Sequence, residues 1–220
     1  MFTTEKIKKF QAFLNQDPHN RFNSWKHCYM AFENQNLEAD YLALHLGFYL
    51  ASWGMYRGST GLLQKDYKIH VEAVQLIKKY YHLRCTSTFE VNKQHIEDIL
   101  NLKQQLYEYY NSFTYQNKEA YKAKPPTDTL LSKIILGTLG CTPAFDRYFN
   151  EGIKQHHHKA YKFDKKAMFA LFSFIEQHYQ DLIELQTYLA RLEGVHYPLF
   201  KLIDMYFWNE GYTMSQTKDI

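Results

Sequence analysis

Cysteine is scarce: Cys28, Cys85 and Cys141 are the three in 220 residues, an odd number, each more than 50 positions from the next and without a C-x-x-C pair. That spacing excludes a disulfide framework and a zinc knuckle. Long hydrophobic runs are missing too. The longest lies between Asp40 and Arg57, spans at most 16 residues and contains His45, Gly47 and Gly54, whereas a membrane-spanning helix needs about 20 apolar residues. A buried core helix is the expectation there, with no membrane contact. The opening "MFTTEKIKKFQAFLNQ" mixes charges into its apolar residues and carries no small-residue cleavage site, so it does not read as a signal peptide. With unpaired thiols, that places the protein in the cytoplasm. Charge of one sign is absent as well: 26 basic residues face 23 acidic ones, with a pI near 8.5. A dedicated nucleic-acid binder would sit above about 9 with a clustered patch. No H-E-x-x-H, G-x-S-x-G or kinase-like set occurs, and no cofactor or metal motif stands out.

What the chain has is aromatic and aliphatic mass: 45% hydrophobic and 17% aromatic residues, diluted by polar faces to a mean hydropathy of -0.51. This is a soluble composition with ample core. Helical spacing runs through nearly all of it and strand alternation almost none. Ile7, Phe10, Phe13 and Leu14 make one face of a first helix; Phe22, Trp25, Tyr29 and Phe32 stripe a second; a central helix spans about Leu37 to Met55. A fourth carries Tyr67 to Tyr81, "RCTSTFEVN" reads as a loop, and a long helix follows from Ile96 to Phe113. Later, Leu130 to Ile135 end at Gly137 or Gly140. Thr142 reads as the N-cap and Pro143 as the first residue of a helix containing Phe145, Asp146 and Phe149. One long helix is expected from Met168 to Leu189, pausing at Gly194, and Pro198 opens the last. The expectation is an all-α, irregular multi-helix protein of eight or nine helices. It is either one body or two lobes: an N-terminal half over 1–117, a Lys/Pro-rich connection over 118–126 with Pro125 and Pro126, a C-terminal half over 127–212 and a frayed tail over 213–220.

The stretch "YLALHLGFYLASWGMYRGSTGLLQ" concentrates the candidate chemistry. Ala43, Gly47 and Ala51 repeat at four and invite a close backbone. His45, Tyr49, Ser52 and Tyr56 form a polar stripe that must find partners or line a cavity. The loop beyond holds Arg57, Ser59 and Thr60 among glycines, then Lys65 and His70. These are ingredients of an anion cradle, though not with P-loop spacing. The bland alternative is a helix turn in which Arg57 caps carbonyls. In "LSKIILGTLGCTPAFDRYF", Asp146 and Arg147 open a helix, where the dipole alone favours the acid; the functional alternative has Asp146 meeting Arg57 or Lys65 in a cleft.

"YLASWGMYRGSTGLLQKDY" together with "LGTLGCTPAFDRYF" resembles a family of bacterial proteins of about this length, over most of the chain, for which the resemblance implies no activity. More faintly, helix, glycine turn and helix with an aspartate is similar to the helix-hairpin-helix DNA glycosylase fold. There the resemblance would give Asp146 a catalytic role, although Gly137 and Gly140 stand three apart instead of two and Asp146 follows the turn sooner. "KQHHHKAYKFDKK" offers phosphates five lysines, but His156, His157 and His158 point about 100° apart on a helix and cannot share one ion. Cys141 reads as a small buried residue.

Three functions stay open. The first is a binding or interaction protein with a polar, anion-accepting pocket between helices, formed by His45, Tyr49, Ser52, Arg57, Ser59, Lys65, His70, Asp146 and Arg147. The second is a nucleic-acid-binding or nucleic-acid-processing protein. The third is an enzyme on a small anionic substrate. Ligand, partner and oligomeric state are not legible.

Overall fold

The computed structural model describes residues 2–57, 61–86, 90–116, 125–156 and 162–218. Among them stand ten α-helices and no strand: α1 Thr4–Leu14, α2 Asn23–Ala31, α3 Ala39–Ser52, α4 Val71–Lys79, α5 Ile96–Gln116, α6 Asp128–Thr138, α7 Arg147–Gln155, α8 Lys165–Gln177, α9 Tyr179–Glu193 and α10 Leu199–Lys218. Short 3-10 turns lead into α4 (Tyr67–His70) and α5 (Lys93–His95).

The tenth helix comes from a break that no glycine or proline announces. At His178 the backbone leaves helical geometry (φ -114, ψ 22), and its N–H is shared between the carbonyls of Phe174 and Ile175. The imidazole ring packs 4.8 Å from Phe2 and 4.6 Å from Phe174, so the expected single helix from Met168 to Leu189 is split into α8 and α9.

Three further expectations are corrected. Residues 139–146 form a buried irregular strap instead of a helix opened by Thr142; Asp146 is the N-cap of α7, accepting from Phe149 N–H at 3.0 Å. Thr142 Oγ1 bonds Pro143 O instead of capping. The tail expected to fray from residue 213 continues α10 through Lys218. In α1, Ile7 and Leu14 are buried, but Phe13 is 63% exposed.

One continuous hydrophobic cluster runs from Phe2 to Phe207, and both halves of the sequence contribute to it. Helix α6 touches α2, α3 and α5, and α1 touches α10. The tightest junction joins α7 to α10. A Cβ on Gly152 would lie 1.9 Å from Phe207 O, and one on Gly211 would lie 2.0 Å from Tyr148 O. Only glycine permits backbones that close. The central helix α3 buries Leu42, Ala43, Leu46, Tyr49 and Leu50, yet leaves Tyr41, Leu44 and Phe48 about half exposed or more. It is therefore not sealed all round as a core helix would be. No helix among the described residues is long and apolar enough to cross a membrane.

Candidate functional site

The residues singled out in the sequence are for the most part distributed over separate environments, although Asp146 lies near enough to Tyr49 to help burial raise its pKa. On α3 the polar stripe splits. His45 is half-buried, its pKa held below the usual imidazole value by partial burial and then by His27. Tyr49 turns fully inward, its ring filling the space a side chain at Gly137 would take (2.5 Å from a Cβ there), and burial pushes its hydroxyl well up. Ser52 Oγ donates to Phe48 O at 2.9 Å, so it serves its own helix. Lys65 Nζ lies 5.8 Å from the Phe113 ring centre. Arg57 is exposed, and Ser59 lies outside the described residues.

His70 has the clearest partners. Its Nε2 is 2.8 Å from Tyr56 Oη, its Nδ1 is 2.6 Å from Tyr110 Oη, and no part of it meets solvent. Gly47 makes this possible, because a Cβ there would stand 2.9 Å from Tyr67 Cβ and 3.4 Å from His70 Cδ2. The small-residue line thus admits the turn that carries His70. Burial lowers the His70 pKa to about 3, and burial first, then Asp66, pushes Tyr56 to about 12. A neutral imidazole with both nitrogens occupied offers an anion nothing.

Asp146 is also committed. Oδ1 caps α7 and Oδ2 takes Lys133 Nζ at 2.8 Å, with that ammonium 4.6 Å from the Trp53 ring centre. No ion pair joins Asp146 to Arg57 or Lys65 among the described residues, and Arg147 Nε donates to Glu151 Oε1 at 3.0 Å on the surface. A second pair, Lys201–Asp204 at 2.9 Å, holds the strap two residues before Asp146, since Asp204 Oδ1 accepts the Ala144 N–H. These acids position backbone. The basic stretch 154–166 is described only up to His156 and from Lys162, so His157 and His158 lie outside the described residues; no group of three metal-ligating side chains occurs among those described.

A different set of residues surrounds a cavity of about 270 Å³. Its lining comes from the end of α2 (Tyr29, Met30) and Glu33 just past it, the segment Arg84–Thr86, and the α9–α10 turn (Gly194, Val195, His196). Arg84 is its charged wall and is 4% exposed. Nη1 donates to Thr138 O at 2.5 Å and Nη2 to Tyr29 O at 2.8 Å, while the guanidinium carbon lies 3.8 Å from the Tyr29 ring centre. The ring is fixed in turn, because Tyr29 Oη donates to Cys85 O and Cys85 N–H bonds Leu139 O. Five buried side-chain polar atoms find no partner among the described residues, and of these only Arg84 Nε belongs to a charged group. No carboxylate comes within ion-pair distance of Arg84 among the described residues, although burying a guanidinium without a counter-charge costs several kcal/mol.

Beside it lies a polar relay. Gln186 Nε2 lies within hydrogen-bond distance of Tyr197 O (2.8 Å), Glu90 Oε1 (3.2 Å) and His196 Nε2 (3.3 Å), and His196 Nε2 stands 3.3 Å from the same Glu90 oxygen. Cys85 is no nucleophile in this company: its thiol is fully buried, and burial, then Glu90, raise its pKa well above the ordinary thiol value. None of Arg84, Glu90 or His196 stood out in the sequence. The one available signal was an arginine and a glutamate inside a short loop of otherwise small and apolar residues, "RCTSTFEVN".

No family model, curated protein or solved structure matches this chain.

Proposed function

We propose that the protein is a binding protein that accepts a small anion in the cavity walled by Arg84, without catalysing a reaction on it. The observation that carries this reading is a guanidinium, almost wholly buried in a residue that lines the cavity, with no carboxylate in ion-pair range among the described residues. Two carbonyls and the Tyr29 face offset part of the cost of burial; each charged hydrogen bond contributes about 1.5–3 kcal/mol and a desolvated cation–π contact about 2. They supply no negative charge, which an anion would. At about 270 Å³ the cavity falls just short of the roughly 300–1,000 Å³ of drug-sized sites, so the occupant is small. The buried, unpaired thiols agree with a reducing, cytoplasmic setting.

The reading is tested by NMR titration of the full chain with acetate and with inorganic phosphate, for the wild type and for Met30→Trp, which fills the cavity from its half-exposed rim. Saturable shifts at Gly194, Val195 and His196 that vanish in the variant are expected. No saturable shift with either anion, or equal shifts in both proteins, overturns it.

A further inference from the structure

We infer that the outward face of α3 is a self-association surface, on which a second copy of this chain docks with its own α3 antiparallel about a two-fold axis. Tyr41, Leu44, His45, Phe48, Ala51 and Ser52 fall within about 120° of one another on the helix and make one stripe. Tyr41, Leu44 and Phe48 in that stripe are 48%, 49% and 63% exposed. A surface helix ordinarily turns charged side chains to water. This one turns none, since no Asp, Glu, Lys or Arg occurs between Asp40 and Arg57. His45 adds no charge at neutral pH, because burial, then His27, hold its pKa below the ordinary imidazole value. Contiguous apolar side chains on a water-facing helix mark a protein interface.

The order of the stripe says what covers it. Leu44 and His45 stand side by side at its middle, and an aromatic ring lies three residues outside them at each end, Tyr41 on one side and Phe48 on the other. A two-fold axis through that middle sets Tyr41 against the partner's Phe48, Leu44 against the partner's Leu44 and His45 against the partner's His45. The stripe is then its own complement, as an isologous contact requires.

Charge selects the antiparallel sense. Glu38 and Asp40 stand at the N-terminal end of α3, and Arg57 lies beyond its C-terminal end. Lys68 Nζ already faces Asp40 at 3.9 Å, which leaves Glu38 as the acid for a partner to meet. Reversed helices bring each acidic end toward the other copy's basic end and oppose the helix dipoles, whereas parallel helices would set like charges together.

Area sets the strength. A fully buried aromatic ring covers about 150–250 Å², so Tyr41 and Phe48 have roughly 100 Å² each left to bury. With Leu44 and Ala51 each copy offers roughly 300 Å², well below the ~800 Å² per partner of a standard interface. The dimer is therefore weak and reversible.

Sedimentation equilibrium of the full chain at neutral pH, from about 10 μM to about 1 mM, should show the average mass climbing from 26.4 kDa toward twice that value. Leu44→Asp changes a half-exposed side chain and so leaves the fold in place. It puts two carboxylates face to face at the axis and should weaken association at least tenfold. Mild oxidation of cysteine variants reads the geometry, the three native thiols being buried. Leu44→Cys should link to itself. Tyr41→Cys should link to Phe48→Cys in a mixture but not to itself, because antiparallel helices hold the two copies of position 41 about 10 Å apart along the axis, beyond disulfide reach. A wild type that stays at 26.4 kDa throughout overturns the second copy as the occupant and leaves the face to a different partner. Leu44→Asp associating as strongly as the wild type overturns the assignment to this face. Tyr41→Cys linking to itself as readily as Leu44→Cys overturns the antiparallel axis.

Discussion

His70 and Arg84 are both buried ionisable side chains reached by aromatic partners, and they resolve in opposite ways. His70 gives up its charge: two tyrosine hydroxyls occupy both ring nitrogens, and Gly47 lets the surrounding backbone close over it. Arg84 cannot lose its charge under any ordinary condition, and it ends up with two carbonyls, a tyrosine face and no carboxylate in ion-pair range among the described residues, at the wall of a cavity. The first centre is complete within the chain. The second has charge left over, and uncompensated charge at a cavity wall is what a ligand uses.

Acid should expose this contrast most strongly. In the folded protein His70 takes up a proton only near pH 3; in the unfolded chain an imidazole does so near 6.5. The unfolded state binds more protons between those values, so stability is intact above about 6.5 and falls as pH drops toward 3, by on the order of 4–5 kcal/mol from this group. Denaturant unfolding at pH 7 and pH 4 measures the part lost by pH 4, about 3 kcal/mol. His70→Phe should flatten the part of the slope that distinguishes it from wild type, while lowering stability at pH 7 by about 1–3 kcal/mol because Tyr110 Oη, in a residue 4% exposed, loses its partner. Equal acid sensitivity in the two proteins would show that the imidazole is not held neutral.

Arg84→Ala removes two charged hydrogen bonds and the stacked ring contact, and should cost roughly 3 kcal/mol in denaturant unfolding. A loss near zero would mean that a buried unpaired cation was already as costly as its bonds were favourable. Gly47→Ala would press a methyl against Tyr67 Cβ at 2.9 Å and loosen the lid over His70, a cost of about 1–3 kcal/mol readable as a lower Tm and faster exchange of the His70 environment. Met30→Trp, at a residue 45% exposed, should change stability by no more than about 0.5 kcal/mol and alter only the response to anions.

Much of the helical layout was legible in the sequence because apolar residues recur at three and four, and Gly140 and Gly194 take the positive φ that ends a helix (70° and 66°). The strap over 139–146 was misread because Thr142-Pro143 carries a helix-start signal. The deciding interactions are long-range, Ser132 Oγ to Phe145 N–H and Asp204 to Ala144 N–H. His178 broke a helix for a tertiary reason, its packing on Phe2 and Phe174, which local pattern cannot carry. His70 was named in the sequence for its charge, and burial removed that charge. Arg84 and His196 went unnoticed because the cavity joins residues 29–33, 84–86 and 194–196, three segments that no spacing rule links.

The most direct test follows the Arg84 Nε–H and the His70 ring nitrogens in one sample, by 15N NMR, as acetate is added at neutral pH. A saturable shift of Arg84 with His70 unmoved is the predicted result. An Arg84 signal that stays in place at saturating acetate, or one that moves only in step with His70, would contradict the assignment of the open centre to ligand binding.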